Sequence, residues 1–299
     1  MTWPADMAEP RLLHVACGPF TIAWRLTDPV MAAAMADRWQ QHTDQPADLT
    51  ITVSAATASF GAGPLQIFPV SMTGESAQGT VQMQLGNVAR VRWSVAEDRM
   101  VCTCQAGMHP LSIAPLFDSL LAHMVAAWLS FHGGTLLHAC GILTDGAVDL
   151  FAGPSGVGKS TLARSVPPDR VVHDDTLLLT CSEGACQIAQ VPWRQDGWPT
   201  LAGAGWPVGR VVLLARDGAS GVERLPAYEA LSGLCQDGWF GFSGWPGLHR
   251  SQLHLLSTLV EDRPCYRLRY RWPEEDPWRL MADAPPLASG VPHVAAATI

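Results

Sequence analysis

The chain has 299 residues, of which 48% are hydrophobic and 15% are charged, so it can bury a substantial core and wholesale disorder is excluded. Its formal net charge of −8 argues against nucleic acid or an anionic membrane as the main partner, because such surfaces demand a basic face. Only one of the 19 basic residues is a lysine, Lys159.

The ends and the cysteines point to a cytoplasmic protein without a structural metal. No basic stretch followed by an apolar run opens the chain, so we expect no signal peptide. The longest apolar stretch, residues 111–131, contains Asp118 and His123, which favours a buried helix over a membrane span. The eight cysteines include no CxxC pair, so we expect free, buried thiols and no zinc.

The N-terminal part, residues 1–110, is predicted to be a β-rich domain with a structural or substrate-positioning role. One helix is predicted at residues 29–41 from its apolar stripe. Alternating or apolar runs bounded by Gly, Asp and Ser predict strands at residues 12–16, 20–26, 49–55, 65–72, 81–85, 89–95 and 100–104.

Residues 111–281 are predicted to form an α/β catalytic domain, followed by a loosely ordered tail at residues 282–299. A helix at residues 112–131 leads into two apolar runs, 136–143 and 148–152, which flank an Asp-Gly turn and therefore predict a hairpin. Further along, helices are predicted at residues 161–166 and 249–260, and a strand at residues 265–271.

A phosphate-binding loop follows the second strand of this hairpin. It matches G-x-x-x-x-G-K-[ST] at every fixed position and lies between a strand and a helix, which is the context that the motif requires. Small residues let backbone N–H groups surround a phosphate, while the lysine supplies a compact mobile charge. The matching residues are Gly153, Pro154, Ser155, Gly156, Val157, Gly158, Lys159, Ser160 and Thr161.

Two adjacent carboxylates, Asp174 and Asp175, follow the loop lysine by fifteen residues. Side chains alternate along a strand, so the two would normally point to opposite sides. At a strand end or a turn, both could face a metal and a nucleophile. Phosphoryl transfer needs one carboxylate for Mg²⁺ and one to take a hydroxyl proton.

The run from His138 to Gly141, the hairpin, the GPSGVGKST loop and the His-Asp-Asp sequence together resemble the HPr kinase/phosphorylase family. They are closest in layout to its relatives in gene clusters for ribosomal peptides. The resemblance covers residues 112–180 and implies an ATP-binding domain with a phosphoenolpyruvate-carboxykinase-like fold, preceded here by the β-rich domain.

Carried over residue by residue, the resemblance implies a site for ATP and Mg²⁺. Lys159 would contact the β- and γ-phosphates, and Ser160 would bind the metal. Asp174 would be the general base on the acceptor hydroxyl, and Asp175 a metal ligand. His138 would assist catalysis or orient an aspartate.

The sequence departs from the family in one region. HPr kinases carry a downstream signature loop with Glu and Arg, and no convincing copy is present, so HPr itself and phosphorolysis are not expected. Residues 192–198 occupy that region, with Arg194 as a candidate phosphate clamp. The leading acceptor is therefore a Ser or Thr hydroxyl of a peptide or protein, in particular a ribosomal peptide.

Three other functions stay open from the sequence. The first is a kinase for a small hydroxyl compound, because the acceptor site lies outside the motifs. The second is a conventional P-loop ATPase or GTPase, although the helix after the loop is short for a parallel crossover and neither LSGGQ nor NKxD is present. The third is a non-catalytic nucleotide-binding scaffold. Self-association into a homo-oligomer is also left open.

Overall fold

The structure, a computed structural model, describes residues 11–27, 43–55, 66, 70–73, 79–104, 114–182, 184–193, 198–199, 201, 205–237, 246–282 and 284. The predicted helix at residues 29–41, the candidate clamp Arg194 and the tail beyond residue 284 lie outside the described residues. The predicted domain boundary at residues 110 and 111 lies outside them as well. What is described is a mixed α/β protein with two sheets and few helices.

Seven strands of the N-terminal part form the first sheet. In chain order they are β1 (Arg11–Cys17), β2 (Phe20–Leu26), β3 (Leu49–Ala55), β4 (Val70–Thr73), β5 (Thr80–Leu85), β6 (Ala89–Ser94) and β7 (Arg99–Cys104). Their order across the sheet is β1-β2-β3-β7-β6-β5-β4, with parallel pairs β2–β3 and β3–β7 and antiparallel pairs elsewhere. The runs in this part of the sequence therefore predicted six of the strands within about one residue at each end. The predicted strand at residues 65–72 differs, because β4 covers Val70–Thr73, residue 66 is not in a strand, and residues 65 and 67–69 lie outside the described residues.

Helix α1 (Ala114–Leu129) links the first sheet to the second, as the prediction for residues 112–131 required. Residues 120–130 are all buried. Trp128 donates a hydrogen bond from Nε1 to Oδ1 of Asp98, 2.9 Å away, and so ties the helix to the β6–β7 turn. The apolar core around α1 continues to Leu136 and Leu178 of the second sheet. None of the helices in the described ranges combines the length and hydrophobicity that a bilayer span requires.

Eight strands form the second sheet, with four short or medium helices around it. The strands are β8 (Gly134–Thr144), β9 (Ala147–Ala152), β10 (Val171–His173), β11 (Thr176–Ser182), β12 (Ala185–Gln190), β13 (Trp206–Ala215), β14 (Gly221–Leu225) and β15 (Cys265–Arg269). The helices are α2 (Lys159–Arg164), α3 (Ala227–Asp237), α4 (Pro246–Asp262) and α5 (Pro277–Ala282). Pairing runs in a closed ring, from β8 through β11, β12, β13 and β9 back to β8.

The hairpin predicted around the Asp-Gly turn is confirmed. Strands β8 and β9 pair antiparallel, with Leu143 opposite Val148. At the turn, Asp145 and Gly146 have φ values of 50° and 82°. Two consecutive positive φ values are what a two-residue hairpin turn of the favoured hand requires, which explains the Asp-Gly signal.

Three neighbouring parallel strands bring together the chain segments that form the candidate site. Strand β13 pairs parallel with β9 on one side and with β15 on the other. The carboxyl ends of parallel strands meet at one edge of a sheet. The glycine-rich loop after β9 therefore shares this edge with Arg216, which follows β13, and Tyr270, which follows β15.

Several elements differ from the predictions or were not predicted. Helix α2 begins at the loop lysine, two residues earlier than expected, and α4 is longer at both ends than the predicted 249–260. The short elements β12, β14, α3 and α5 were not predicted, because their apolar residues are interrupted by Gln in β12 and by Gly, Pro or charged residues in the other three.

The prediction of free thiols is wrong for two of the eight cysteines. Cys181 and Cys186 form a disulfide bond. They lie directly opposite each other in the antiparallel β11–β12 ladder, and this brings their side chains together. The other six cysteines are free. The pairing depends on the register of β12, a strand that the sequence analysis did not predict.

Candidate functional site

The loop after β9 has a backbone that only glycine can adopt at some positions. Gly153 has φ 152° and Gly158 has φ 119°. A Cβ atom at Gly153 would lie 3.0 Å from the carbonyl oxygen of Leu214, and one at Gly158 would lie 3.1 Å from the hydroxyl of Tyr270. Both the left-handed backbone and the close neighbours therefore require glycine, which accounts for the fixed glycines of the motif.

Lys159 begins α2 and folds back over the loop. Its side chain is buried, with a relative exposure of 6%. The Nζ ammonium donates hydrogen bonds to the carbonyl oxygens of Gly153 at 2.7 Å and Pro154 at 3.3 Å. The loop thus holds a positive charge at its centre, where the motif places the phosphates.

Asp175 lies in the turn between β10 and β11 and is held by two side chains. Its Oδ1 is 3.1 Å from Nε2 of His138 on β8, and its Oδ2 accepts a hydrogen bond from the hydroxyl of Thr176 at 3.1 Å. Burial alone would raise the pKa of Asp175. The hydrogen bonds from His138 and Thr176 and the electrostatic attraction of His138 outweigh burial and lower the pKa of Asp175 below its usual value.

His173 shapes the same turn from within the core. Its Nδ1 accepts hydrogen bonds from the backbone N–H groups of Asp175 and Thr176, at 3.1 and 2.9 Å. Because Nδ1 accepts, the ring proton lies on Nε2, which donates to the carbonyl oxygen of Trp193 at 3.3 Å. His173 therefore fixes the backbone that presents the carboxylate of Asp175.

Asp174 has different surroundings from its neighbour. Its side chain is buried, with a relative exposure of 2%, and its Oδ1 has no hydrogen-bond partner among the described residues. It lies near Cys140, where burial raises the pKa of the thiol and the charge of Asp174 raises it further. The two neighbouring carboxylates therefore differ in exposure, with Asp174 buried and Asp175 partly exposed.

Most of the predicted site residues line one pocket of about 170 Å³. Its wall includes His138, Asp175 and Lys159, together with Ser155, Gly156, Gly158, Ser160 and Thr161 from the loop and α2. Three predicted loop residues, Gly153, Pro154 and Val157, shape the loop without lining the pocket, and Asp174 does not line it either. The sequence analysis gave the acceptor hydroxyl to Asp174, whereas the burial of the two side chains favours Asp175.

Arg216 is a pocket residue that the sequence analysis did not single out. Its Nε donates a hydrogen bond to the carbonyl oxygen of Val157 in the loop, at 3.2 Å. It follows directly after β13, the strand that lies parallel to β9. The sequence shows an apolar run that ends in Ala-Arg-Asp, which is typical of a strand followed by Arg216. Whether Arg216 reaches the loop depends on which strand lies beside β9, and the sequence did not show that.

Comparisons with known proteins add no relatives. No protein-family model matches the sequence, and no curated protein matches it.

Proposed function

We propose that the chain is an ATP- and Mg²⁺-dependent kinase that transfers the γ-phosphoryl group to a Ser or Thr hydroxyl of a peptide or protein. We further propose that it has the phosphoenolpyruvate-carboxykinase-like fold of HPr kinases. One observation carries the proposal. A carboxylate held by a histidine, Asp175 with His138, lines the same pocket as Lys159 and Ser160 of the phosphate-binding loop.

Two cations of the pocket are suited to the phosphates of ATP. The ammonium of Lys159 donates hydrogen bonds to the loop carbonyls of Gly153 and Pro154, and a phosphate oxygen can replace one of these contacts. The guanidinium of Arg216 is held over the loop by one hydrogen bond through Nε. Its terminal nitrogens present the planar, two-pronged geometry that suits phosphate oxygens.

Two oxygen donors are candidates for a magnesium ion, Ser160 in the pocket wall and Asp174 outside it. Ser160 offers a hydroxyl, and the buried Oδ1 of Asp174 has no partner within the described residues. No group of three His, Cys, Asp or Glu side chains encloses a metal in the described ranges. Mg²⁺ suits such a sparse set, because it keeps several waters and takes other ligands from substrate phosphates. We assign it to Ser160 and Asp174. Bound there, it would neutralise charge on the transferring group.

Asp175 is the residue that we assign to the acceptor hydroxyl. An aspartate at or below its ordinary pKa is deprotonated near neutral pH, so Asp175 can accept a hydrogen bond from the hydroxyl and then the proton that phosphoryl transfer releases. His138 and Thr176 restrict its orientation from two sides. This assignment reverses the roles that the sequence analysis gave to Asp174 and Asp175. A water molecule in place of the hydroxyl would give ATP hydrolysis.

The experiment is phosphoryl transfer from γ-labelled ATP with Mg²⁺, offered to pooled Ser/Thr peptides and, separately, to a mixture of small hydroxyl compounds. Wild type is compared with Lys159→Ala and Asp175→Asn, and with Glu97→Gln as a control for substitution at an exposed ion pair. We expect label on peptides from wild type and Glu97→Gln alone.

Each other result changes the proposal in a defined way. Label on a small compound refutes the peptide acceptor and leaves a kinase. Free phosphate alone, released equally by wild type and Asp175→Asn, refutes the kinase and indicates an ATPase. Equal activity of Lys159→Ala and wild type refutes the use of the phosphate-binding loop altogether.

A further inference from the structure

One large aromatic side chain is exposed at the same sheet edge as the phosphate-binding loop. Trp272 follows β15 and has a relative exposure of 50%. The other large apolar side chains that are exposed in the described residues lie on β1, on β7, just after α1, on α3 and on α4. Trp272 is the one that continues a strand whose end contacts the loop.

The segment that carries Trp272 touches the loop directly. Tyr270 donates a hydrogen bond from its hydroxyl to the carbonyl oxygen of Gly158, at 3.4 Å. Trp272 is two residues further along the chain, which is about 7 Å at full extension. Trp272 therefore lies close in the chain to the residue that contacts the loop, and its indole is exposed there.

The turn after Tyr270 is held in one conformation by several hydrogen bonds. The backbone N–H of Arg271 donates to Oε2 of Glu275 at 2.7 Å, and the N–H of Glu275 donates to the carbonyl oxygen of Arg271 at 2.9 Å. A hydrogen bond from Ser220 and the one from the N–H of Arg271 lower the pKa of Glu275. The turn thus presents Trp272 on an ordered backbone, so little ordering entropy opposes binding there.

The pocket itself has no place for a nucleobase. Its volume is about 170 Å³, and the described residues that line it include no aromatic side chain. Sites that enclose a whole organic ligand are larger, at about 300–1,000 Å³. The volume that the described residues enclose suits the phosphates, and we therefore place the nucleoside against the surface beside the pocket.

We propose that Trp272 is the stacking platform for the base of the bound nucleotide. This inference rests on the proposed function, because it requires that a nucleotide occupies the loop. Stacking on an indole uses the π-face that every base has. The platform therefore binds adenine and guanine alike, and any preference between ATP and GTP comes from other residues.

The test separates the contribution of the base to binding affinity from that of the phosphates. It compares Mg²⁺·ATP with Mg²⁺·tripolyphosphate, which has no base. Their affinities are measured by calorimetry for wild type, Trp272→Ala and Trp272→Phe. Tyr228→Ala is the matched control, because Tyr228 is an aromatic side chain on α3 with 71% exposure. Thermal unfolding verifies that each variant is folded.

We expect Trp272→Ala to weaken ATP binding about 10-fold, the scale of base–aromatic stacking, with tripolyphosphate binding unchanged. Trp272→Phe should keep most of the ATP affinity, and Tyr228→Ala should alter neither ligand. Unchanged ATP affinity of Trp272→Ala overturns the proposal. So does an equal loss for both ligands, because Trp272 would then support the loop rather than the base.

Failure of this inference is distinguishable from failure of the proposed function. Lys159→Ala, measured in the same series, should weaken both ligands, since it removes a charge from the phosphate site. If Lys159→Ala binds both ligands as wild type does, the phosphate-binding loop is not the site and both proposals fall. If it weakens both while Trp272→Ala changes neither, only the platform falls.

Discussion

The Nε2 atom of His138 lies 3.1 Å from Oδ1 of Asp175, and this contact joins the first strand of the second sheet to the turn before β11. The register of the β8–β11 pair places His138 directly opposite Thr176, the residue after Asp175. A slip of one residue would turn His138 to the other face of the sheet and remove the contact. The strand pairing therefore builds the candidate active site.

Substitutions of the two adjacent aspartates should have different effects on phosphoryl transfer. Asp175→Asn should keep ATP affinity and lose phosphoryl transfer by about 10²-fold or more, because the carboxylate that meets the acceptor is gone. Asp174→Asn should instead raise the Mg²⁺ concentration that half-maximal transfer needs. Transfer assays over a Mg²⁺ titration check both. Loss of transfer by Asp174→Asn alone, with Asp175→Asn fully active, would falsify the assignment.

The stability of the fold should depend on the His138–Asp175 contact at low pH. Burial raises the pKa of Asp175, but the hydrogen bonds and charges of its neighbours lower it below the ordinary value of 3.8. A carboxylate whose pKa is lower in the folded than in the unfolded state stabilises the fold at pH values above its unfolded-state pKa. This contribution is lost as the pH falls through the folded-state pKa. His138→Gln should therefore lose less stability than wild type between pH 6 and pH 3.

Urea unfolding at the two pH values measures this difference. His254→Gln is the matched control, because His254 is an exposed histidine on α4. Equal losses of unfolding free energy for wild type and His138→Gln would show that the contact does not act on the pKa of Asp175.

We expect that neither alanine nor arginine can replace Lys159. Lys159→Ala should lower turnover about 10²-fold or more, the scale of removing one preorganised charge donor, while thermal unfolding stays close to that of wild type. Lys159→Arg should also have low turnover, because the buried site holds a compact ammonium and a planar guanidinium needs more room. Wild-type turnover by either variant contradicts the role of Lys159.

Arg216 should contribute to phosphate affinity. Arg216→Ala removes a cation that lines the pocket and should weaken ATP binding about 10-fold, the scale of a charge-assisted hydrogen bond. Binding isotherms at low and high salt measure it. The control is Arg250→Ala, which removes an exposed arginine on α4. Equal affinities of Arg216→Ala and Arg250→Ala would exclude a phosphate contact.

The ion pair between the buried Asp149 and the partly exposed Arg210 should be important for stability. Arg210 donates from Nε to Oδ1 of Asp149 at 3.0 Å and thereby clamps β9, the strand that leads into the loop, to β13. Arg210→Ala leaves a buried carboxylate unpaired and should lower the unfolding free energy by about 3–5 kcal/mol.

A double substitution separates the pair from the unpaired charge. Asp149→Val with Arg210→Met removes both charges and should recover most of the loss, because apolar replacements of a buried pair are often neutral. Urea unfolding of the two variants and wild type gives the comparison. A single variant as stable as wild type would refute a structural role for the pair.

The features that the sequence predicted are local ones. Alternation with period two identified the strands of the first sheet, and the Asp-Gly turn identified the β8–β9 hairpin. The glycines and the lysine of the loop were also readable, because their backbone angles and close neighbours leave few alternatives at Gly153 and Gly158. Each depends on residues within a few positions of one another, so chain order alone carries it.

The tertiary structure decided what depends on strand pairing. It brought His138 to Asp175 rather than Asp174, placed Arg216 beside the loop, and set Cys181 opposite Cys186. Motif spacing named both aspartates but could not separate them, because the surroundings of a residue in the turn between β10 and β11 depend on how these strands pair with β8, which lies far from them along the chain. Register is the outcome of packing the whole sheet, and for that reason local sequence did not reveal it.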